Sequence, residues 1–449
     1  MPQHLDECVA KMTAAGICPA AIACFQQYYR QYRSGQVRTE LREDDIRPPP
    51  DERLVRLEAL PPAAAEGLAA TVVIKLNGGL GTSMGLTRAK SLLEVRPGIA
   101  FLDVIARQAL ATGMRLLFMD SYNTRSDTLA HLAPYAGLAR EGLPLDFLQN
   151  QFPRLRADLG GPLNFGDERD WNPPGHGDLY LAIQAHGLLD QLLALGCRYA
   201  FVSNCDNLGA SADGRIPAFM AAQGVPFLME VCRRSPMDRK GGHLAVRRQT
   251  GALCLREAAQ RPQGGDRFED IELYGWFNTN NLWVDLQALR EVLRLHAGMM
   301  PLPLMLNPKK VDGVPVMQFE TAMGAAIELF QGARALAVPR ARFAPVKKTC
   351  DLLVLRSDVY DLDLTTGRLG QAPGACLPTV DLDEVHYGKV AQLDQRFPEG
   401  APSLRGCTSL VVRGEVTFAA RTTFRGAVTL SAEGPKRLPP GTYEGTVRL

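Results

Sequence analysis

A glycine-rich loop that leads to a lysine is the segment of this chain whose residue types and spacing are best suited to chemistry. Residues 75–91 read KLNGGLGTSMGLTRAKS, and they follow the apolar, strand-like run from Thr71 to Leu76. Glycines let backbone N–H groups approach an anion without an intervening Cβ, and the Lys90 ammonium can act on the same phosphates as a point charge. The segment predicts a phosphate-binding site. A glycine-rich turn packed on a sheet, with an unrelated solvated lysine, is the alternative.

Two familiar phosphate-binding motifs do not fit this loop. A GxGxxG motif that starts at Gly79 would need glycine where Met84 stands, and a Walker loop would need glycine directly before Lys90, where Ala89 stands. The predicted phosphate-binding loop therefore has a sequence that differs from both motifs.

A second candidate group follows the apolar run from Tyr199 to Val202. There the sequence SNCDNLGA places Asp206 directly after a strand, with Asn204 and Asn207 beside it. Mg2+ in nucleotide-binding enzymes favours one or two carboxylates together with phosphate oxygens. The pattern predicts that Asp206 is a Mg2+ ligand, and an Asx-turn residue that ends the strand is the alternative.

The segment WNPPGHGDLY, residues 171–180, places Gly175 and His176 before a predicted helix whose first turn holds Asp178. Backbone N–H groups at such a helix start could face an anion or the edge of a base. No serine or cysteine stands in a recognisable nucleophile elbow near His176. A hydrogen bond from His176 to a substrate hydroxyl or phosphate is therefore favoured over acid–base catalysis.

Carboxylate and amide side chains suited to sugar hydroxyls occur further along the chain. Glu230 ends the run PFLME, and Asn278, Asn280 and Asn281 precede an apolar strand in GWFNTNNLWV. Each amide offers both a donor and an acceptor, as a hydroxyl does, although buried loop amides often satisfy only backbone groups.

Two loop lysines are further candidates for phosphate contacts. Lys240 precedes a pair of glycines, and Lys347 lies in FAPVKKTCDLL. Arg239 and Lys348 stand next to them, so plain surface charge is the alternative for both.

An α/β sheet is the predicted scaffold for these residues. After Thr71 the strand-like runs TVVIKL, MRLLFMD, YAFVSN, PFLMEV, NLWV and LLVL alternate with amphipathic stretches, which indicates a largely parallel sheet. Ligand groups in such a sheet gather at the carboxyl ends of the strands. The alanine-rich stretch from Leu5 to about Tyr32 predicts a helical preface, followed by a linker that reaches Pro50. We predict three parts: 1–69, 70–380 and 381–449.

The last of these parts contains a short repeat. Apolar residues recur every six positions at Val412, Phe418, Phe424 and Leu430, with Val416 and Val428 between them. This spacing is typical of the rungs of a β-helix. A pair of ordinary β-hairpins is the alternative.

Composition excludes several classes of function. The 449 residues include 50 Lys and Arg against 48 Asp and Glu, so no basic surface for nucleic acid is predicted. The start MPQHLDECVAK lacks a secretory pattern, and no later segment has transmembrane length, so we expect a cytoplasmic protein without membrane contact. The ten cysteines form no CxxC pair, which predicts buried thiols rather than a zinc or disulfide site.

Taken together, these segments resemble the eukaryotic-type UTP:glucose-1-phosphate uridylyltransferases, also called UDP-glucose pyrophosphorylases. The resemblance rests on six segments in that family's order: KLNGGLGTSMG, NPPGHGD, SNCDNLGA, FNTNNLWV, QFETAMGAAI and PVKKTCDLL. The chain departs from the family at Ala89, where proline is usual, and at Lys348. The related N-acetylhexosamine uridylyltransferases have alanine and glutamine at the positions of Asn77 and Leu80.

This resemblance implies a fold and a set of site residues. The fold is a Rossmann-like (GT-A-like) α/β nucleotidyltransferase domain with a mixed, mostly parallel sheet, followed by a small left-handed β-helix that serves oligomer contacts in some members. Lys90 and Lys347 would be catalytic, and Asp206 would hold Mg2+. The implied UTP contacts are Leu76, Asn77, Gly78, Gly79, Lys90, Gln149, Gly175, Asp206 and Lys347, and the implied sugar phosphate contacts are His176, Asn204, Glu230, Lys240, Asn280 and Asn281.

The reaction implied is in-line attack by a phosphate oxygen of glucose 1-phosphate on the α-phosphorus of UTP, which gives UDP-glucose and pyrophosphate. The nucleophile needs no general base, because the second pKa of a phosphate monoester is about 6. Two alternatives remain open at this point. One is a pyrophosphorylase that also accepts galactose or xylose 1-phosphate, and the other is a catalytically silent nucleotide-sugar binder or assembly subunit. A homo-oligomer formed through the β-helix is also possible.

Overall fold

The computed structural model describes residues 2–35, 37, 40–62, 65–140, 142–262 and 265–449. Their centre is a sheet in which eleven strands take part. The seven that position the site are β1 (Thr71–Asn77), β2 (Arg115–Asp120), β3 (Asp146–Leu148), β4 (Tyr199–Asn204), β5 (Phe227–Arg233), β6 (Trp276–Asp285) and β7 (Arg334–Ala337). The others are Ile46–Arg47, Leu54–Arg56, His243–Arg247 and Leu253–Arg256.

The sheet is mixed and mostly parallel, as predicted. Its main path runs from Leu54–Arg56 through β7, β5, β6, β4, β1 and β2 to β3. Along this path only β6 is antiparallel to its neighbours β4 and β5. Because β6 runs the other way, its first half lies at the same edge as the carboxyl ends of β4 and β5. The polar residues of all three strands therefore meet at one edge.

Both faces of the sheet are covered, which explains why every residue of β1 is buried instead of every second one. Val73 packs in one core with Phe201, while Val72 and Ile74 pack in the other with Tyr180. The helices after β1 are Phe101–Thr112, Arg125–Leu132, Leu179–Ala185, Leu188–Ala194, Arg215–Gln223, Leu286–Leu295, Thr349–Arg356, Glu384–Tyr387 and Val390–Arg396.

The helical preface is confirmed as two helices, Pro2–Ala14 and Pro19–Arg33, and a short third helix, Ala65–Ala69, precedes β1. The apolar face of the pair packs on Phe152 and Phe319. The linker is not a free spacer, since Leu54–Arg56 extends the main sheet beside β7. Among the helices in the described residues, the 15-residue Pro19–Arg33 is the longest, and none combines the length and apolar character needed to cross a membrane.

The C-terminal part contains parallel strands and, near its start, two short helices. Thr379–Leu382, Ser403–Arg413, Thr422–Ser431 and Gly441–Arg448 form one sheet, and Val416–Phe418 pairs with Lys436–Leu438. The six apolar positions of the repeat are all buried. Parallel pairing rules out the β-hairpin alternative, because hairpin strands are antiparallel.

Four small antiparallel sheets complete the described structure. They are Glu94–Arg96 with Ile99–Ala100, Phe152–Pro153 with Trp171–Asn172, Tyr360–Leu362 with Leu369–Gln371, and Leu155–Arg156 with Val314–Glu320 and Met305–Val311. All ten cysteines are free thiols and most are buried, as the scattered spacing predicted.

Some local predictions were wrong. The run LLVL is not a strand but lies in the helix Thr349–Arg356, whose start is fixed because Asp351 accepts hydrogen bonds from the backbone N–H groups of Lys347 and Lys348. A four-residue apolar run does not distinguish a buried strand from a buried helix. Glu230 does not end its strand, since β5 continues to Arg233.

Candidate active site

The candidate residues that follow β1 and β4 meet at one edge of the sheet. In the parallel register Leu76 is opposite Asn204, and Asn77 is opposite Asp120 of β2. The glycine loop leaves β1 at the level where the Asp206 loop leaves β4. The predicted convergence at the carboxyl ends of the strands is therefore present.

Lys90 and Asp206 form the centre of this edge. The Lys90 Nζ donates to Asp206 Oδ2 at 2.6 Å, and both side chains are about four-fifths buried. The Lys90 backbone N–H donates to Gly79 O at 3.0 Å. A Cβ on Gly81, whose φ is +68°, would lie 3.1 Å from Lys90 Cγ. The glycine loop therefore packs directly on the lysine stem.

Asp206 retains an unused acceptor. Its Oδ1 is buried and has no hydrogen-bond partner among the described residues. Within that same part of the chain, no group of three or more His, Cys, Asp or Glu side chains could hold a metal ion. A single carboxylate with one free oxygen fits a Mg2+ ion that takes its other ligands from phosphate and water.

Lys347 reaches the same cleft from a different segment. The backbone N–H of Val346 donates to Asp206 O at 3.1 Å, and the Lys347 ammonium lies 5.6 Å from the centre of the Phe277 ring. Burial raises the pKa of the Asp351 carboxyl, and backbone donors together with Lys347 and Lys90 oppose this effect.

Gln149 and Gly78 are in contact on the nucleotide side. A Cβ on Gly78 would lie 2.6 Å from Gln149 Nε2, so the amide occupies the space that a larger residue would fill. The Asn77 amide donates to Asp120 Oδ1 and to Thr128 Oγ1, both at 2.8 Å. The Asn77 side chain therefore links β1 to β2. Its backbone groups remain to contact a ligand.

The loop with Gly175 packs closely on Thr321, within the segment QFETAMGAAI. Thr321 N donates to Pro174 O at 2.8 Å, and Gly177 N donates to Thr321 O at 2.9 Å. Gly175 has φ +78°, and a Cβ there would lie 2.5 Å from Thr321 O.

We expect Gly175→Ala to destabilise the protein more than Gly187→Ala and to raise the KM for UTP. Gly187 has φ +68°, and an added Cβ would have no atom within 4 Å, so its replacement costs only the left-handed conformation, about 1 kcal/mol. At Gly175 the backbone clash adds to that cost. Urea unfolding and initial rates measure both effects, and equal losses for the two variants would contradict the expectation.

His176 is held as a neutral imidazole. The backbone N–H of Met323 donates to its Nδ1 at 3.0 Å, which leaves the proton on Nε2. Burial lowers the pKa of His176 to about 4. The side chain can therefore donate one hydrogen bond to a substrate at neutral pH.

The His176 pKa predicts a pH-dependent stability difference. The unfolded histidine has a pKa of about 6.5, so between pH 6.5 and 4 the unfolded chain binds more protons and stability falls as the pH falls. The raised pKa values of Asp120 and Asp178, both about 6, act in the opposite direction but are common to wild type and variant. Between pH 7.5 and pH 5, wild type should lose more unfolding free energy than His176→Gln. Identical losses in urea titrations would contradict this assignment.

The sugar-side residues lie together but bond mainly to one another. The buried Glu230 carboxylate accepts from Trp283 Nε1 at 2.9 Å, from Asn281 Nδ2 at 3.1 Å and from both Nη2 and Nε of Arg342 at 2.6 and 3.0 Å. Asn280 has φ +56°, and its Oδ1 accepts from Asn278 Nδ2 at 2.9 Å. All these asparagines lie within β6 and not before it. Contact with sugar hydroxyls stays a prediction.

Lys240 stands two residues before Gly242, whose carbonyl oxygen accepts a hydrogen bond from Asn278 N at 3.0 Å. Lys240 is exposed, on a loop that Asp238 anchors through a bidentate ion pair with Arg340 at 2.6 and 3.1 Å. Its role at a phosphate stays a prediction.

Sequence reasoning missed three cations around the site, one of them about one third exposed and two of them largely buried. Arg340 and Arg342 hold the segment that leads to Lys347. The signal that could have found them is the RxR spacing that ends two residues before PVK. Lys75 is also buried, and it donates to Ser203 Oγ at 2.8 Å and to Ala210 O at 3.0 Å. Burial lowers the pKa of Lys75 to about 8. The lysine ties β1 to β4 and to the loop that carries Asp206.

Comparison with known proteins places this site in a family. Residues 22–425 match the family model described as UTP–glucose-1-phosphate uridylyltransferase. The enzyme of that name from Solanum tuberosum is 39% identical over 428 residues, covering 91% of this chain and 87% of the relative. The Saccharomyces cerevisiae enzyme is 37% identical, with 88% and 80% covered.

A solved structure gives the same result. A point mutant of the UDP-glucose pyrophosphorylase from Leishmania major, in complex with UDP-glucose, superposes with a TM-score of 0.93 at 38% identity and covers 99% of both chains. The chain therefore belongs to the UTP–glucose-1-phosphate uridylyltransferase family.

Proposed function

We infer that the chain catalyses the reaction for which its family is named. It transfers the uridylyl group of UTP to glucose 1-phosphate and releases UDP-glucose and pyrophosphate. The observation that carries this conclusion is the cluster formed by the glycine loop, the Lys90–Asp206 pair and the segment that ends at Lys347. Its two ammonium groups and its free carboxylate oxygen match a substrate made of phosphates and a divalent cation.

We propose that the nucleotide lies over the carboxyl ends of β1 and β4. The backbone from Leu76 to Gly79 would border the uridine, and Gln149, packed on Gly78, would meet the edge of the uracil. Gly175 would add a backbone contact to the base. The backbone of Asn77 would take part here, since its amide is engaged with Asp120.

Asp206 is the proposed Mg2+ ligand. The unpartnered, buried Oδ1 supports this role, and the remaining ligands would be phosphate oxygens and water. A bound Mg2+ ion would reduce the repulsion between the two anionic substrates and offset charge on the departing pyrophosphate.

The nucleophile is a phosphate oxygen of glucose 1-phosphate, which is largely dianionic at neutral pH. His176, as a neutral N–H donor, and Asn204 would orient that phosphate. A new O–P bond forms at the α-phosphorus while the bond to the pyrophosphate oxygen breaks, and the bonding electrons leave with pyrophosphate. Lys90 and Lys347 would neutralise that charge, so the protein contributes mainly position and electrostatics.

We further propose a GT-A-like nucleotidyltransferase topology and a left-handed β-helix at the C-terminus. The main-sheet order and the parallel C-terminal strands with an apolar six-residue repeat support these assignments. A cytoplasmic location and a homo-oligomer formed through the C-terminal strands stay predictions.

A coupled assay tests the reaction and its sugar range. Enzyme, UTP, Mg2+ and pyrophosphatase are combined with glucose, galactose or xylose 1-phosphate, and released phosphate is measured. We expect release with glucose 1-phosphate, and comparable rates with the other sugars would establish the broad-range alternative. Absence of product with every sugar would leave the silent-binder alternative.

A further inference from the structure

A buried ion pair at the base of the site has no role in the mechanism above. Glu230 is fully buried in β5, and Arg342 lies in the turn Arg340–Arg342 that follows β7. Their contact is bidentate, with Nη2 to Oε1 at 2.6 Å and Nε to Oε2 at 3.0 Å. A buried pair of this kind gives the fold little net stability over apolar residues of the same volume. What it provides is a defined position for Arg342.

Arg342 begins a segment that runs to Lys347 and is held at nearly every residue by contacts with Asn207 or Asp206. Its carbonyl accepts from the Asn207 amide at 3.2 Å, and Ala344 N donates to Asn207 Oδ1 at 2.9 Å. Pro345 forms an isolated bridge with Asn207, and Val346 N donates to Asp206 O at 3.1 Å. Lys347 comes next. The segment therefore has one end on the ion pair and the other on the backbone of Asp206.

We propose that Arg342, held by Glu230, is a positioning residue that sets the place of the Lys347 ammonium relative to Asp206. This inference rests on the proposed role of Lys347. It assigns Glu230 to Arg342 in place of a sugar hydroxyl, since Arg342, Trp283 and Asn281 already supply donors to both carboxylate oxygens. The guanidinium fork fixes two bonds at once, which a lysine cannot do.

The test is a double-mutant cycle between the ion pair and Lys347. Glu230→Gln with Arg342→Met removes the pair without leaving an unpaired buried charge. We expect this paired variant to lower the single-turnover rate by about 10- to 100-fold, because small displacements of a catalytic group are costly. The KM for glucose 1-phosphate should stay near wild type. The triple variant, in which Lys347→Ala is added to the paired replacement, should be little slower than Lys347→Ala alone.

A matched pair provides the control. Arg247 and Glu328 also form a bidentate contact, at 2.8 and 3.1 Å, and neither belongs to the site. Arg247→Met with Glu328→Gln should leave the full effect of Lys347→Ala intact. Arg342→Lys, which keeps the charge, provides a second variant if the paired replacement folds poorly, and it should also slow the single turnover.

Three results would overturn the proposal. If Lys347→Ala is slow but its fold-loss in rate multiplies with the fold-loss of the Glu230–Arg342 paired variant, Arg342 does not act through Lys347. The role of Lys347 itself would then stand. A rise in KM for glucose 1-phosphate without a slower single turnover would indicate that Glu230 contacts the sugar and does not position Arg342. A normal rate in Lys347→Ala would remove the proposed role of Lys347 and this inference with it.

Discussion

Lys90→Met is expected to slow uridylyl transfer about 10³-fold in a single turnover while the protein still folds and binds UTP. The magnitude is that of removing one fixed donor from a site where negative charge develops. The Lys90 stem packs under Gly81, and its ammonium lies 2.6 Å from Asp206 Oδ2, so the charge is held in place before substrate arrives. Rapid-quench measurement with labelled UTP isolates the chemical step from product release.

The same substitution should act in the opposite direction on cation binding. In the absence of nucleotide the Lys90 ammonium occupies one oxygen of Asp206 and repels a second cation. Lys90→Met should therefore bind Mn2+, a spectroscopic probe for Mg2+, more tightly than wild type when UTP is absent. Loss of rate with a gain in metal affinity is not a result that general damage to the fold would produce.

Lys11→Met is the matched control for this variant. Lys11 is buried to a similar degree and pairs with Asp170 at 2.7 Å, but it lies on the first helix, away from the cleft. Its loss should lower stability and leave the single-turnover rate unchanged. A wild-type rate in Lys90→Met, or an equal rate loss in Lys11→Met, would contradict the catalytic role of Lys90.

The sequence predicts the order of elements well because each strand of the sheet centre leaves a local pattern. TVVIKL, MRLLFMD and YAFVSN became β1, β2 and β4, and the alternation with helices correctly indicated a mostly parallel sheet. The run LLVL carried no such local information. Its helical state depends on Asp351 at the helix start and on burial of both ends of the run, and neither is a property of the four residues.

The site was predictable where ligand groups follow strands directly. The glycine loop, Asp206 and Lys90 are close in space because β1 and β4 are adjacent and parallel, a consequence of the fold class. The Arg342–Glu230 pair was not predictable in this way, since it joins residues far apart in the chain and a buried arginine leaves no periodic pattern. The sequence around Glu230 carried no sign of this partner, and contact of Glu230 with a sugar stays a prediction.

Asp206→Asn is expected to reduce turnover at subsaturating Mg2+ by about 10³-fold, equivalent to several kcal/mol of lost charge stabilisation. Asparagine has the same shape, and the backbone carbonyl of residue 206 can still accept from Val346 N. The segment that carries Lys347 should therefore stay in place. What is lost is the negative charge that would attract the metal, and the single remaining acceptor oxygen cannot serve both Lys90 and a metal ion.

The diagnostic measurement for Asp206→Asn is the Mg2+ titration of the rate. Since UTP phosphates also bind Mg2+, the variant should recover part of its rate at high Mg2+, with its saturation curve displaced to higher concentrations. Asp213→Asn is the control, because Asp213 is as exposed as Asp206 and makes a 2.6 Å ion pair of its own, with Arg215. Its titration should match wild type. A wild-type curve for Asp206→Asn would mean that the free Oδ1 serves no metal, and the phosphate-binding role would then rest on Lys90 and Lys347 alone.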